Sequence, residues 1–231
     1  MQKLILGIKD RKVDLSSLGF CIKERPHIPT PEQDIESVEV QGRDGALHIE
    51  KGYRDIDISV ELNFLEDKLH DSIRNVKDLL FDCDKIIFSD DDEFCYLVNY
   101  IKIGDIENEV SFYGSFEVVF NCRPYSYKLS TFKYIQVVNS IVVKGYKALP
   151  LFKITKNSNE MQFTIDGNLI KVDSTANVVY IDCDNLTCYS ESINLLDKMS
   201  GEFPELTTGQ HTISNKRGIS NIEVMLREGW R

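Results

Sequence analysis

IDISVELNFLEDKLHDSIRNVKDLLF, residues 56–81, contains a strand pattern that passes directly into a helix pattern. In its first seven residues apolar and polar side chains alternate, which places four apolar side chains on one face of a half-buried strand: Ile56, Ile58, Val60 and Leu62. The apolar residues then recur at spacings of four, four, three and four, as one face of a helix requires: Leu65, Leu69, Ile73, Val76 and Leu80. The stretch predicts a strand over 56–62 and an amphipathic helix over 64–81. Asn63 and Glu66 stand at the spacing of an N-terminal capping box for that helix.

Downstream of the helix the first half returns to strand signals. Lys85–Phe88 and Phe94–Tyr100 are apolar, β-rich runs joined by the polar segment Ser89–Glu93, which predicts a hairpin with an acidic turn. Phe112–Phe120 is an aromatic and β-branched run, and we expect it to end at Asn121–Pro124 because proline cannot donate to a central ladder. These signals predict a first domain over residues 1–130.

The second half, residues 131–231, carries short strand signals and no helix of comparable length. Ile135–Val143 predicts one strand, and Leu151–Lys156 predicts another after Pro150. Asp166-Gly167 predicts a tight hairpin turn, because these residues adopt the positive φ angles that such turns need. Further short strands follow at the spacing of an all-β sandwich. The fold class predicted for the whole chain is mainly β, in the α+β class.

Composition limits the function classes. Of 231 residues, 42% are hydrophobic and 28% charged, which is typical of globular domains. The net charge of −10 repels phosphate backbones, so nucleic acid is not an expected partner. Apolar runs are too short for a signal peptide or a bilayer span, and we expect a soluble cytosolic product with no membrane insertion. We expect the six cysteines to be reduced, with Cys83, Cys95, Cys122 and Cys183 packed in cores.

Motifs for chemistry are missing. A calcium loop starting at Asp90 would need glycine and glutamate where Cys95 and Ile101 stand. The four histidines have no second ligand at zinc spacing, and the sequence contains no nucleophile elbow and no phosphate-binding glycine pattern. The sequence therefore predicts neither an enzyme nor a bound metal or cofactor.

Two segments resemble one known family. Val40-Gln41-Gly42-Arg43-Asp44-Gly45-Ala46-Leu47 contains the glycine-arginine-aspartate-glycine signature of phage distal tail proteins, and the strand, helix, hairpin and aromatic strand follow it in that family's order. Near the end, Gly201–Leu206, Gly209 and the closing Trp230-Arg231 look like the family's terminal segment, although Gln210 stands where the family usually has asparagine. The resemblance covers nearly the whole chain.

The resemblance implies a structural role at the tip of a long-tailed phage. It implies an N-terminal β-sandwich-like domain that assembles into a hexameric ring, and a C-terminal galectin-like β-sandwich. The implied partners are further copies of this chain, the tail tube protein, a tail-associated hub or lysin protein, and receptor-binding proteins. The implied location is the virion tail tip, after assembly in the bacterial cytoplasm.

Two loops are candidate sites under this interpretation. Gly42, Arg43, Asp44 and Gly45 form a candidate interface loop, in which the glycines permit positive φ and Arg43 can contact a carboxylate. Asp90, Asp91, Asp92 and Glu93 form a candidate acidic hairpin facing the lumen of the ring, where like charge repels DNA. An ordinary polar turn and a solvated hairpin tip are the simpler alternatives for the two loops.

Two other functions stay open. The C-terminal domain could be a carbohydrate-binding module that contacts the host cell wall, a role that needs exposed aromatic side chains. Several aromatic residues lie in strand-like runs, where core packing is the default expectation: Tyr134, Tyr146, Phe152, Phe163, Tyr180 and Tyr189. A wall-degrading enzyme would need a carboxylate pair in a cleft, which no sequence pattern indicates.

Overall fold

The structure is a computed structural model that describes residues 2–9, 11–65, 69–105, 107–110 and 113–231. It is mainly β, with antiparallel sheets and, within those residues, one α-helix. The chain divides into two compact units, one ending at Ser126 and including Arg231, the other spanning Tyr127–Trp230. None of the helices in the described residues is long and apolar enough to cross a membrane.

The first unit contains the helix and ten strands. The strands are β1 (Leu4–Ile8), β2 (Arg11–Asp14), β3 (Phe20–Ile22), β4 (Gln33–Glu39), β5 (Ala46–Tyr53), β6 (Ile56–Leu65), β7 (Lys85–Phe88), β8 (Phe94–Ile103), β9 (Glu107–Val110) and β10 (Tyr113–Lys128). β1 pairs with β2 and β7, β7 pairs with β8, and β6 pairs with β3 and β10. β4 and β5 pair only with each other and form a separate two-stranded sheet.

Apolar and polar side chains alternate along β6, and its apolar side chains are buried as predicted. Its inward side chains are all buried in one core: Ile56, Ile58, Val60 and Leu62. The outward side chains of β6 face those of β10, with Glu61 directly opposite Glu117. The predicted strand over 56–62 is confirmed, and it extends to Leu65.

The helix α1 spans Leu69–Phe81, a shorter segment than the predicted 64–81. Ile73, Val76 and Leu80 are buried in the core as the spacing predicts. The predicted start was wrong, because Phe64 and Leu65 belong to β6, where Phe64 packs against Phe20 with ring centroids 5.6 Å apart. Asn63 also lies within β6 and does not cap a helix, while Glu66 lies outside the described residues.

The second unit contains two sheets that share one core. Its strands are β11 (Ile135–Gln136), β12 (Ser140–Ala148), β13 (Leu151–Lys156), β14 (Glu160–Ile165), β15 (Asn168–Asp173), β16 (Val178–Asp182), β17 (Thr187–Ser190), β18 (Ile193–Asn194), β19 (Met199–Ser200), β20 (Leu206–Arg217), β21 (Ile219–Met225) and β22 (Glu228–Trp230). One sheet has the order β11-β21-β13-β16-β17-β18, and the other has β19-β15-β14-β20-β12-β22. Phe152 of the first sheet and Phe163 of the second meet in the core, with ring centroids 5.9 Å apart.

Two strand predictions need correction. β10 does not end near Phe120 but continues through Pro124 to Lys128; its ladder with β6 ends at Cys122, and a strand tolerates proline where no partner needs its N–H. Phe112, the predicted first residue, lies outside the described residues. Residues 135–143 are not one strand, because β11 and β12 are separated at 137–139 and pair in different sheets.

The Asp166-Gly167 hairpin is confirmed. Asp166 and Gly167 have φ angles of +51° and +89°, and Ile165 pairs with Asn168 across the turn. Positive φ at both central residues is the geometry of the preferred two-residue hairpin loop. Three short 3₁₀ helices complete the described structure: Leu15–Leu18, Leu129–Phe132 and Leu196–Lys198.

Candidate assembly surface

The β4–β5 hairpin exposes apolar side chains on one face. The register places Val38 opposite Leu47 and Glu36 opposite Ile49, so these side chains point to the same side. Val38, Leu47 and Ile49, called the apolar face below, are 36%, 41% and 44% exposed. A two-stranded hairpin is marginally stable in water by itself, and clustered apolar side chains at a surface mark interaction sites.

The opposite face of the hairpin carries more polar side chains, although it also includes Ile35, which is 47% exposed. Ser37 lies across from His48, and the Ser37 Oγ and His48 Nδ1 are 2.9 Å apart. At the strand edge next to the apolar face, Lys51 and Glu36 form an ion pair of 2.7 Å. The hairpin therefore has exposed apolar side chains mainly on one face, where they are flanked by the Lys51–Glu36 ion pair.

The candidate interface loop forms the tip of this hairpin. Gly42 and Gly45 have φ angles of +84° and +76°, so both positions use the left-handed region that glycine adopts without strain. The Arg43 N–H donates to the Val40 carbonyl over 3.1 Å, which closes a turn. A side chain at either glycine would meet open space, so backbone conformation is the reason for glycine here. The role of the loop in an interface stays a prediction.

The base of the hairpin is tied to the end of the chain. The Tyr53 hydroxyl accepts a hydrogen bond of 2.6 Å from the Arg231 guanidinium, which also lies 5.8 Å from the centre of the Tyr53 ring. Tyr53 packs edge-on against Tyr125 at 5.9 Å. Arg54 forms an ion pair of 3.0 Å with Asp34 at the base of the hairpin. These contacts join the hairpin to the body of the first unit.

The acidic turn between β7 and β8 is partly neutralised. One carboxylate oxygen of Asp90 pairs with Arg25 at 2.9 Å, and the other accepts a hydrogen bond of 2.7 Å from the Gln2 side chain. Asp91, Asp92 and Glu93 are exposed. The solvated hairpin of the sequence analysis is therefore present, with Asp90 engaged in a specific contact. Its orientation toward a lumen stays a prediction.

The second unit contains a histidine whose two ring nitrogens both face acceptors. His211 Nδ1 lies 2.7 Å from the Asp166 carboxylate, and Nε2 lies 2.7 Å from the Thr207 carbonyl. A carbonyl and a carboxylate can only accept, so this geometry favours the form of the ring in which both nitrogens carry a proton. Burial alone would lower the pKa of His211, but these two bonds outweigh it and raise the pKa.

Four of the six aromatic residues expected in cores are not buried in one, and Tyr146, which is only partly buried, is among them. Phe152 and Phe163 are fully buried, as expected. Tyr180 and Tyr189 are only partly buried and stack at 5.2 Å between neighbouring strands, while Tyr134 is 36% exposed with the Lys153 ammonium 5.6 Å from its ring centre. The prediction failed because side chains on the outer face of a sheet show the same alternation as those on the inner face.

The described residues contain no group of three or more histidine, cysteine or acidic side chains placed to hold a metal ion. All six cysteines are free thiols, and Cys83, Cys95, Cys122 and Cys183 are buried as predicted. Burial raises the pKa of Cys83, Cys95 and Cys122 to about 12. Such thiols are poor nucleophiles near neutral pH.

Comparison with known proteins shows which solved structures have a similar fold. No family model and no curated protein sequence matches the chain. Among solved structures, the Dit protein of phage SPP1 matches over 100% of both chains, with a TM-score of 0.64 and 14% identity. The fold is that of a phage distal tail protein. A chain of the activated phage p2 baseplate with strontium matches over 98% of this chain and 97% of its own, with a TM-score of 0.58 and 10% identity, and the calcium form gives the same values.

One feature of the structure was not predicted from the sequence. The β4–β5 hairpin was not predicted, although Leu47, Ile49, Lys51 and Tyr53 alternate with the intervening residues as a strand requires. In β4 the alternation is interrupted by a register shift between Asp34 and Ile35. A bulge of this kind breaks the period of two on which strand prediction depends.

Proposed function

We propose that the chain is a structural component of a phage tail tip or baseplate and forms a hexameric ring. The observation that carries the proposal is the full-length match to the SPP1 Dit structure, whose description calls that protein a paradigm of the hub adsorption apparatus in phages that infect Gram-positive bacteria. A match covering both chains completely includes both units of this chain. Six subunits is the number that the family resemblance implies.

The apolar face of the hairpin supports assembly. A ring forms when the same heterologous contact repeats and closes by rotation, which requires a surface on each subunit that the neighbouring subunit can cover. The β4–β5 hairpin is such a surface, because it is a separate sheet with exposed apolar side chains on one side. In the proposal, each hairpin packs its apolar face on the neighbouring subunit.

The rest of the assignment follows from the ring. The first unit forms the ring, residues 131–231 form the galectin-like domain, and the ring joins the tail tube protein to a tail-associated hub or lysin protein. Receptor-binding proteins are the further partners. The role is mechanical, at the virion tail tip, and it needs no enzyme activity, cofactor, nucleic acid or membrane.

Substitutions on the hairpin test the assembly surface. Leu47→Asp and Ile49→Asp place a charge on the apolar face, and we expect each to abolish the large species in light scattering while the circular dichroism spectrum is retained. His48→Asp is the matched control, since it lies between them on the opposite face. Equal assembly of all three variants would exclude the apolar face from the ring contact.

Carbohydrate binding by the second unit is the second candidate. It is favoured by the tyrosine cluster on the outer face of the six-stranded sheet, where Tyr134, Tyr180 and Tyr189 lie beside the Lys153–Glu223 ion pair of 2.9 Å. Aromatic rings with hydroxyl groups suit ligands that have both apolar and polar faces. A glycan array tests this candidate. Sugars that bind the native chain should no longer bind Tyr180→Ala, but they should still bind Tyr100→Ala, which changes an exposed tyrosine of the first unit.

A further inference from the structure

Residues 24–31, called the strap below, connect β3 to the β4–β5 hairpin. The strap contains Pro26, Pro29 and Pro31, which fix their own φ angles. Each proline also restricts the residue before it to extended conformations: Arg25, Ile28 and Thr30. Most of the strap is therefore conformationally restricted, and it behaves as a semi-rigid spacer that, together with the Tyr53 contacts at the hairpin base, constrains where the hairpin points.

The strap is anchored by backbone hydrogen bonds just outside its two ends. At the start, the Lys23 N–H donates to the Glu61 carbonyl over 3.0 Å, and the Lys23 ammonium pairs with the Glu61 carboxylate at 2.7 Å. Beyond the far end, the Arg54 N–H donates to the Glu32 carbonyl over 2.9 Å. All residues between these anchors are described, and their one ion pair is that of Arg25 with Asp90.

Packing holds the strap only loosely. On one side it borders a cleft of about 410 Å³, whose opposite wall is the polar outer face of β6 and β10. On the other side Pro26 and Ile28 border a small gap of about 40 Å³, lined also by Phe88, Phe94 and Tyr96. Ile28 remains 40% exposed. A stiff segment with little packing takes its direction from its few specific contacts.

Asp90 is placed to provide that contact. It lies in the turn between β7 and β8, whose backbone is fixed by hydrogen bonds from the Asp91 N–H to the Phe88 carbonyl and from the Phe94 N–H to the Asp91 carbonyl. Gln2 binds the second oxygen of the carboxylate and so orients the first toward Arg25. The acceptor is therefore rigidly held, while the donor belongs to the strap.

We propose that the Arg25–Asp90 pair is a latch that holds the strap on the β7–β8 turn and thereby restricts the motion of the hairpin about its base. The inference goes beyond ring assembly and stands without it, because strap, turn and hairpin belong to one unit of a single chain. The Arg25 and Asp90 side chains are 72% and 35% exposed, so salt screens their attraction. The latch is reversible, and the hairpin alternates between a held and a released state.

Hydrogen exchange of the hairpin amides, residues 33–54, tests the latch in the full-length protein. The protein is diluted until light scattering gives the mass of one chain, so that loss of the latch and loss of assembly are read separately. Arg25→Asp and Asp90→Arg should each accelerate exchange at the hairpin base by about two- to five-fold, the size expected for an exposed ion pair. The Arg25→Asp/Asp90→Arg double variant restores the attraction with reversed charges and should return exchange to the native rate.

Two controls separate the latch from a general loss of stability. Glu205→Arg breaks the 2.7 Å pair with Lys147 in the other unit and should leave hairpin exchange unchanged. Added salt should accelerate exchange in the native chain and in the double variant, but not in the two single variants. Native exchange rates in both single variants, or a double variant that stays as fast as they are, would overturn the proposal.

Discussion

Arg227 and Asp182 form a two-pronged ion pair inside the second unit, with nitrogen–oxygen distances of 2.9 and 3.2 Å. The two side chains are only 12% and 8% exposed. Burial alone would raise the pKa of Asp182, but hydrogen bonds from Arg227 and Asn185 and the guanidinium charge outweigh it and lower the pKa. The pair joins the end of β16 to the turn between β21 and β22.

Removing one partner of this ion pair should destabilise the folded protein. Arg227→Met leaves the Asp182 carboxylate buried without its cation, and we expect the free energy of unfolding to fall by about 3–5 kcal/mol. Chemical denaturation followed by fluorescence measures it. Arg217→Met, on an exposed arginine of β20, is the control and should change stability by less than about 0.5 kcal/mol. Equal losses in the two variants would contradict a structural role for the pair.

The His211 site predicts a pH-dependent stability of the second unit. Because the folded pKa of His211 is raised, its contribution is fully present below the unfolded value and is lost as pH rises through the folded pKa. The native chain should therefore exceed His211→Gln in stability by more at about pH 5.5 than at about pH 8.5, on either side of the ordinary histidine pKa. A pH-independent gap for His211→Gln would show that the ring is not held as an imidazolium.

Thiol reactivity should be confined to Cys21. It is the one cysteine that is not buried, whereas burial raises the pKa of Cys188 to about 11 and raises that of Cys183 as well. Maleimide labelling of the folded protein near neutral pH, read by mass spectrometry, should add one label per chain rapidly. Cys21→Ser should remove that fast label. Rapid labelling of several cysteines in the folded chain would contradict the burial described above.

Glu228 is a second position in the second unit at which substitution should lower the stability of the fold. One of its carboxylate oxygens accepts the N–H groups of Lys144 and Gly145, at 3.1 and 3.0 Å, where the ladder between β12 and β20 shifts register. Glu228→Ala leaves the buried Gly145 N–H without an acceptor, at a cost of about 1–3 kcal/mol, and also removes the part-buried bond to Lys144. Glu228→Gln retains a carbonyl oxygen and should lose clearly less in thermal denaturation. If Glu228→Gln were as destabilised as Glu228→Ala, the two hydrogen bonds would not explain the burial of this residue.

The sequence predicted which local elements form better than it predicted where those elements begin and end. The period-two run at Ile56–Leu62 and the Asp166-Gly167 turn are decided by neighbouring residues, and both were right. The start of α1 was wrong because Phe64 satisfies a strand and a helix pattern equally well, and its packing on Phe20, 44 residues away, decides between them. A contact across that distance in the chain leaves no local signal.

The candidate surface was predictable only in part. The Gly42–Gly45 loop was singled out from its residues, and the structure places it at a hairpin tip. The apolar face beside it depends on the pairing of Val38 with Leu47, which no local pattern reveals because β4 carries a bulge. The ion pairs of Arg25 with Asp90 and of Arg227 with Asp182 join residues 65 and 45 positions apart. They are products of the tertiary fold.

The mass of the purified protein in solution, measured by light scattering behind a sizing column and followed by negative-stain imaging, tests directly whether the chain assembles into a ring. We expect a species of six chains that appears as a ring with a central hole, and we expect Ile49→Asp to lose it. A chain that stays monomeric at high concentration, in which His48→Asp and Ile49→Asp behave identically, would contradict a ring built on the apolar face of the hairpin.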